Sequence, residues 1–142
     1  MSNPNKIKGD RGEREVEILL QKLLNRPTVR RELGAGRLDD RGDIANVPNT
    51  VIQVARCKAK YLTSVISSKI IGVEKQRLNK RVRFAASFIR WDRGPGWIVV
   101  MTPTQFARIW KYAQIGLRQE RELRRAVLQS SETAKLKVHG DR

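Results

Sequence analysis

The chain holds one cysteine, one histidine and 14 acidic residues, against 30 lysines and arginines among 142. A single cysteine, Cys57, excludes a disulfide framework and a cysteine-based zinc site. A single histidine, His139 near the end, argues against a histidine-rich metal centre and against Ser-His-Asp catalysis. No apolar run approaches the ~18 residues of a membrane span, so no membrane partner is expected. Residues 1–8 are polar and lack the apolar stretch of a secretion signal. Aromatic residues are scarce, at 6%.

What is present is positive charge and enough apolar content for one core. The formal net charge is +16, with a pI near 11.1. A charge so large and single-signed points to a polyanionic partner, nucleic acid first among them. Hydrophobic residues make up 39%, above the range of disordered chains. Length and composition together predict a single intracellular, cytoplasmic domain.

Periodicity predicts the order α-β-β-β-α-β-β-α. Residues 1–8 read as a flexible basic arm. A first helix starts near Gly9 or Asp10, with Asp10 as N-cap, and stops before Pro27. Val16, Leu19, Leu20, Leu23 and Leu24 make its apolar face. Strands follow over 28–33, 43–45 and 50–57. A Gly-rich loop around Gly34 and Gly36 separates the first two. The second helix, 62–81, buries Val65, Ile66, Ile70, Val73 and Leu78. Strands at 83–90 and 96–101 flank the turn Asp92-Arg93-Gly94-Pro95-Gly96. Thr102-Pro103-Thr104-Gln105 opens the last helix as N-cap, N1 proline and capping box. That helix carries Phe106, Ile109, Trp110, Ala113 and Leu117 as a core stripe. It ends near Leu128, making 9–128 the domain and 129–142 a loose tail. A mixed sheet flanked by helices is the natural assembly of these elements.

Because acids are scarce, those that are placed in order carry information. Glu13 lies on the first helix and Asp43 opens the second strand. The third strand, where a further acid would complete a set, has Gln53. Carboxylates from adjacent elements are what phosphodiester cleavage uses to hold Mg²⁺ and activate water.

The words run Lys8-Gly9-Asp10-Arg11-Gly12-Glu13-Arg14-Glu15, then Arg30-Arg31-Glu32-Leu33-Gly34-Ala35-Gly36, then Arg41-Gly42-Asp43-Ile44-Ala45, then Val51-Ile52-Gln53-Val54-Ala55. Together they resemble the Hjc-type Holliday junction resolvases of archaea and bacteriophages, in the PD-(D/E)xK nuclease superfamily. The likeness extends from residue 8 to about residue 101. It implies a restriction-endonuclease-like fold with a five-stranded mixed sheet. It implies a homodimeric endonuclease of DNA recombination and repair, making paired Mg²⁺-dependent nicks in four-way junctions, with Mn²⁺ as a substitute metal. A phage-encoded chain would work in the host cytoplasm.

Carried over by position, Glu13 and Asp43 match the metal-binding acids, and Arg14 and Arg31 match basic residues near the scissile phosphate. A carboxylate at 53 and the backbone carbonyl of Val54 would complete the metal site. A lysine at 55 would orient water or stabilise developing charge. Here both side chains are replaced, by Gln53 and Ala55. Shifting the register to Arg56-Cys57-Lys58 puts no acid two residues before the lysine. It also turns Lys58 away from the face of residue 53. The resemblance therefore implies a chain that binds junctions and cuts them poorly. The two changes are either engineered or a natural loss, unless the lysine has moved to Lys58 or Lys60.

Plainer readings stand beside these. Glu13 could serve only the helix dipole, and Asp43 only a turn. Arg30 and Arg31 could be a solvated basic face. Trp91 and Trp97 read as packing residues, and Cys57 as a small core residue. The rival function is a non-catalytic junction- or general DNA-binding architectural protein, which the charge supports equally. An RNA-binding protein of ribosomal type explains the charge but not the ordered acids.

Overall fold

The computed structural model describes residues 4–32 and 42–140, so the expected glycines at 34 and 36 lie outside the described residues. The elements are α1 (Pro4–Leu23), β1 (Arg30–Arg31), β2 (Ile44–Ala45), β3 (Thr50–Cys57), a 3-10 turn at Ala59–Tyr61, α2 (Leu62–Lys80), β4 (Phe84–Trp91), β5 (Ile98–Val100) and α3 (Pro103–Gly140). The chain divides after Gln105 into two compact units.

The first unit is α/β. Its sheet has five strands in the order β1-β2-β3-β4-β5. β3 and β4 pair in parallel across the α2 crossover, and the other neighbours are antiparallel. Alternation along β3 gives each face its own cover. Ile52 and Val54 pack with Val16 and Leu20 of α1. Val51 packs with Val73 of α2 and Ala85 of β4. The expected mixed sheet flanked by helices is present.

Several local expectations are corrected. α1 begins at Pro4, not near Asp10, so the expected arm is helical from residue 4. Proline is preorganised for a first helical position, and Asp10 becomes an interior residue rather than a cap. Val16 and Leu20 are buried, but among the described residues Leu23 and Leu24 are exposed: the helical period marks an apolar face without fixing how far along the helix it is covered. On α2 the inward line runs through Val73 and Gln76, and Leu78 falls outside it. Thr102 caps α3, its hydroxyl accepting from the Gln105 amide at 3.2 Å. The Gln105 side chain does not complete a capping box. Its Oε1 instead accepts from the backbone of Ala85 at 3.2 Å. Trp97 packs against the α1-side core, and Cys57 is buried.

The second unit is helical from Phe106 onward, and helix extends to Gly140 where a loose tail was expected from 129. The expected core stripe is exposed: Phe106 at 60%, Trp110 at 57% and Leu117 at 47%. Helical period identifies an apolar face but not what covers it.

Gly42 has a positive φ of 88°, and a Cβ there would lie 2.8 Å from the carbonyl oxygen of Ile52. Gly42→Ala is expected to destabilise the fold by about 1–3 kcal/mol, adding left-handed strain to a backbone clash. Urea unfolding tests this, through a lower midpoint at unchanged slope.

Candidate functional site

Asp10, Glu13 and Glu17 recur on α1 at i, i+3 and i+7, so they share one face. Arg31 of β1 docks against that face. Its Nη2 lies 2.9 Å from Asp10 and 3.0 Å from Glu13, and its Nε donates to Glu13 at 3.0 Å. Its backbone amide donates to Glu17 at 2.9 Å. Arg31 is only 13% exposed. It is committed to these acids rather than presented outward as a phosphate ligand.

Asp43 comes to the same place from β2. Its backbone amide donates to Ile52 at 2.8 Å, and its carbonyl accepts from Glu32 at 2.9 Å. Its Oδ2 accepts from the Val54 amide at 2.6 Å. The carboxylate is thus held against the edge of β3 at the peptide flanked by residues 53 and 55. Burial pushes the Glu13 carboxyl above its ordinary range, the charge of Asp43 adds to that, and Arg31 opposes it. The helix-one acid and the strand-two acid therefore feel one another, with Arg31 bound to the first and the Val54 amide to the second.

Gln53 is placed differently. Its Oε1 would lie 3.3 Å from a Cβ on Gly72 of α2, and that oxygen is buried with no hydrogen-bond partner. Val54 belongs to the α1 side, so Gln53, and Ala55 by alternation, belong to the α2 side. The structure brings together Glu13, Arg31, Asp43 and the backbone of Val54. It does not add the side chain of Gln53 to them. Arg14 lies beside this group, lining a shallow groove with Glu17, Ile18, Arg30 and Arg31.

Among the described residues, no group of three His, Cys, Asp or Glu is placed to hold a metal ion. Magnesium accepts one or two carboxylates when waters and phosphates fill its remaining positions. Glu13 is already engaged by Arg31, and burial raises its carboxyl above the ordinary range. The third candidate donor is a neutral amide turned onto Gly72. As the chain stands, its donors do not fit a resident divalent ion.

Sequence reading missed Glu15. Its carboxylate bridges Arg56 at 3.0 Å and Arg90 at 3.1 Å, with Arg11 at 3.4 Å. Arg56 and Arg90 are partners in the parallel register of β3 and β4. Their like parity was visible in the two strands, but the pairing that makes them neighbours is long-range. Glu15 adds one negative charge to three positive ones, and Arg11 remains 75% exposed. The strand ends beside the N-terminal half of α1 are therefore cationic.

The raised Glu13 value sets a pH dependence. A carboxyl whose folded pKa lies above its unfolded one stabilises the fold below the unfolded value. That contribution is lost as pH rises through the folded value. Relative to Glu13→Gln, the wild-type chain is therefore expected to lose stability as pH rises from the ordinary carboxylate range toward neutrality. Thermal unfolding of both proteins across that range measures the difference. A constant difference would show that Glu13 is not held in the desolvated state described.

No helix among the described residues is long and apolar enough to cross a membrane. Set beside known family models, curated proteins and solved structures, the chain matches none of them.

Proposed function

We propose that this chain binds branched DNA, four-way junctions above all, through a restriction-endonuclease-like domain whose cleavage site is incomplete. The observation that carries this reading is the meeting of Glu13 and Asp43. They stand thirty positions apart in the sequence, yet Asp43 raises the Glu13 pKa and is held on the β3 peptide that the family pattern places at its metal. A protein that only bound phosphates would gain nothing from two acids placed together beside DNA. The +16 charge supplies the attraction for the polyanion.

In the intact arrangement, Mg²⁺ or Mn²⁺ would be held by Glu13, Asp43, a carboxylate at 53 and the carbonyl of Val54. A lysine at 55 would supply a cation at the reacting phosphate. Arg14 and Arg31 would border the scissile strand, with Arg31 first released from its acids. A homodimer would present one such site to each of two strands. Gln53 and Ala55 remove the third carboxylate and the cation, so binding outlives cutting. Recombination or repair in a host cytoplasm is the setting this reading implies.

The second reading, a purely architectural DNA binder, is favoured by Gln53 lying against Gly72. The test is a labelled synthetic four-way junction competed against a linear duplex of the same sequence. Preference for the junction supports the first reading. Equal affinity favours a general binder, and no binding removes both.

A further inference from the structure

The helix from Phe106 onward carries large apolar side chains in solvent. Trp110 is 57% exposed, Leu117 47% and Val127 59%. From Trp110 to Ala134, steps of three and four, the spacing of a coiled-coil seam, pass through Trp110, Ala113, Leu117, Val127 and Ala134 as apolar positions and Ser131 as a small polar one. Midway along that seam stand two charged residues, Glu120 and Arg124, where a simple apolar stripe would have none. They pair within the helix, Arg124 Nη2 to Glu120 at 2.6 Å, and both are more than half exposed.

We propose that this helix pairs with the same helix of a second copy, antiparallel, about a two-fold axis at residue 122. Folding the seam about that point sets every residue against a complementary one. Trp110 meets Ala134, Ala113 meets Ser131, and Leu117 meets Val127, so large opposes small, small opposes small and apolar opposes apolar. Glu120 meets Arg124 of the other copy, and Arg124 meets its Glu120. Leu123, 67% exposed, flanks the seam one residue from the axis. A parallel pairing would instead oppose Glu120 to Glu120, Arg124 to Arg124 and Trp110 to Trp110. The seam spans about 36 Å at 1.5 Å per residue, long enough for a stable two-stranded coil. The charged layer costs stability and fixes both direction and register, the role best attested for polar groups at such positions. The inference does not depend on a DNA partner.

The experiment uses the full chain in sedimentation equilibrium at micromolar concentration, without nucleic acid. The wild type is expected to be a dimer. Glu120→Arg and Arg124→Glu should each weaken it by at least about tenfold, since like charges then face each other at two layers. Mixing the two variants should restore a dimer, now heterodimeric, although neither chain regains its internal Glu–Arg pair. Circular dichroism of each variant keeps a loss of helix from being mistaken for a loss of pairing. Direction is read by oxidative cross-linking. Leu117→Cys chains mixed with Val127→Cys chains should cross-link to each other, and Leu117→Cys alone should not exceed the background of buried Cys57. A monomeric wild type, variants that dimerise unchanged, a mixture that stays monomeric, or self-linking of Leu117→Cys would each overturn the proposal.

Discussion

Affinity for a labelled four-way junction is expected to fall by about 10³–10⁵ between roughly 50 and 200 mM salt, given about 6–10 phosphate contacts. The size of this effect follows from where the charge sits. The chain carries +16, and pairing of two copies would double it. Several of the acids in the first unit are paired within it. Asp10 and Glu13 hold Arg31, Glu15 serves three arginines, and Glu74 holds Arg77 at 2.7 Å. Beside α1 the exposed charge is cationic, with Arg11 at 75% exposure. Arg11→Ala should therefore lower the slope of log affinity against log salt by about one unit. Glu15→Gln should raise affinity at every salt concentration by freeing Arg56 and Arg90. An affinity that hardly responds to salt would remove the nucleic-acid reading altogether.

The second large effect concerns cutting. The chain as written is expected to leave junctions intact in Mg²⁺, and Gln53→Glu with Ala55→Lys to bring cutting back. Residues 53 and 55 flank the Val54 peptide whose amide donates to Asp43. A glutamate at 53 could not keep the present position of Gln53, which would leave a buried carboxylate unpaired against Gly72. Because residues 53 and 55 lie on the α2 side of β3, restored cutting requires both new side chains to reach round the strand to the Val54 peptide and Asp43. One electrostatic group removed from a transition state typically costs about 10²–10³ in rate. The two positions act in one site, so each single reversion should recover less than the pair, and the effects need not add. Asp43→Asn in the double revertant should abolish cutting again. If the double revertant folds, binds junctions and still leaves them uncut, residues 53 and 55 are not the missing groups. If the unaltered chain cuts well, truncation of Lys58 and then Lys60 locates the displaced lysine.

Much of the first unit was legible because its signals are local. Val51, Ile52 and Val54 between turn residues mark β3 at its observed bounds, and Thr102-Pro103 marks the start of α3. Glu13 and Asp43 were legible as a pair only through the order of the surrounding words. Other features depend on contacts that no window of sequence contains. The face of β3 taken by Gln53 is settled by which helix covers which side of the sheet. Arg31 reads as a free cation until α1 places Asp10 and Glu13 beside it. The burial assigned to the stripe beginning at Phe106 failed for a related reason. An amphipathic period says that a face is apolar, and the same pattern serves a core and an uncovered surface.

The bridge from Glu15 to Arg56 and Arg90 also bears on strand alignment. Parallel strands with short apolar side chains can slide, and a slip of one residue sends every side chain to the opposite face. At the start of the pair, Asn49 accepts from the amides of Arg83 and Phe84, each at 3.0 Å. At the far end, one carboxylate grips the arginine of each strand. Displacing β4 by one position would carry Arg90 out of reach of Glu15 and strand a cation on the α2 side. The two ends together act as a vernier. They admit one alignment of the eight paired residues and so fix the Val54 peptide on which Asp43 rests.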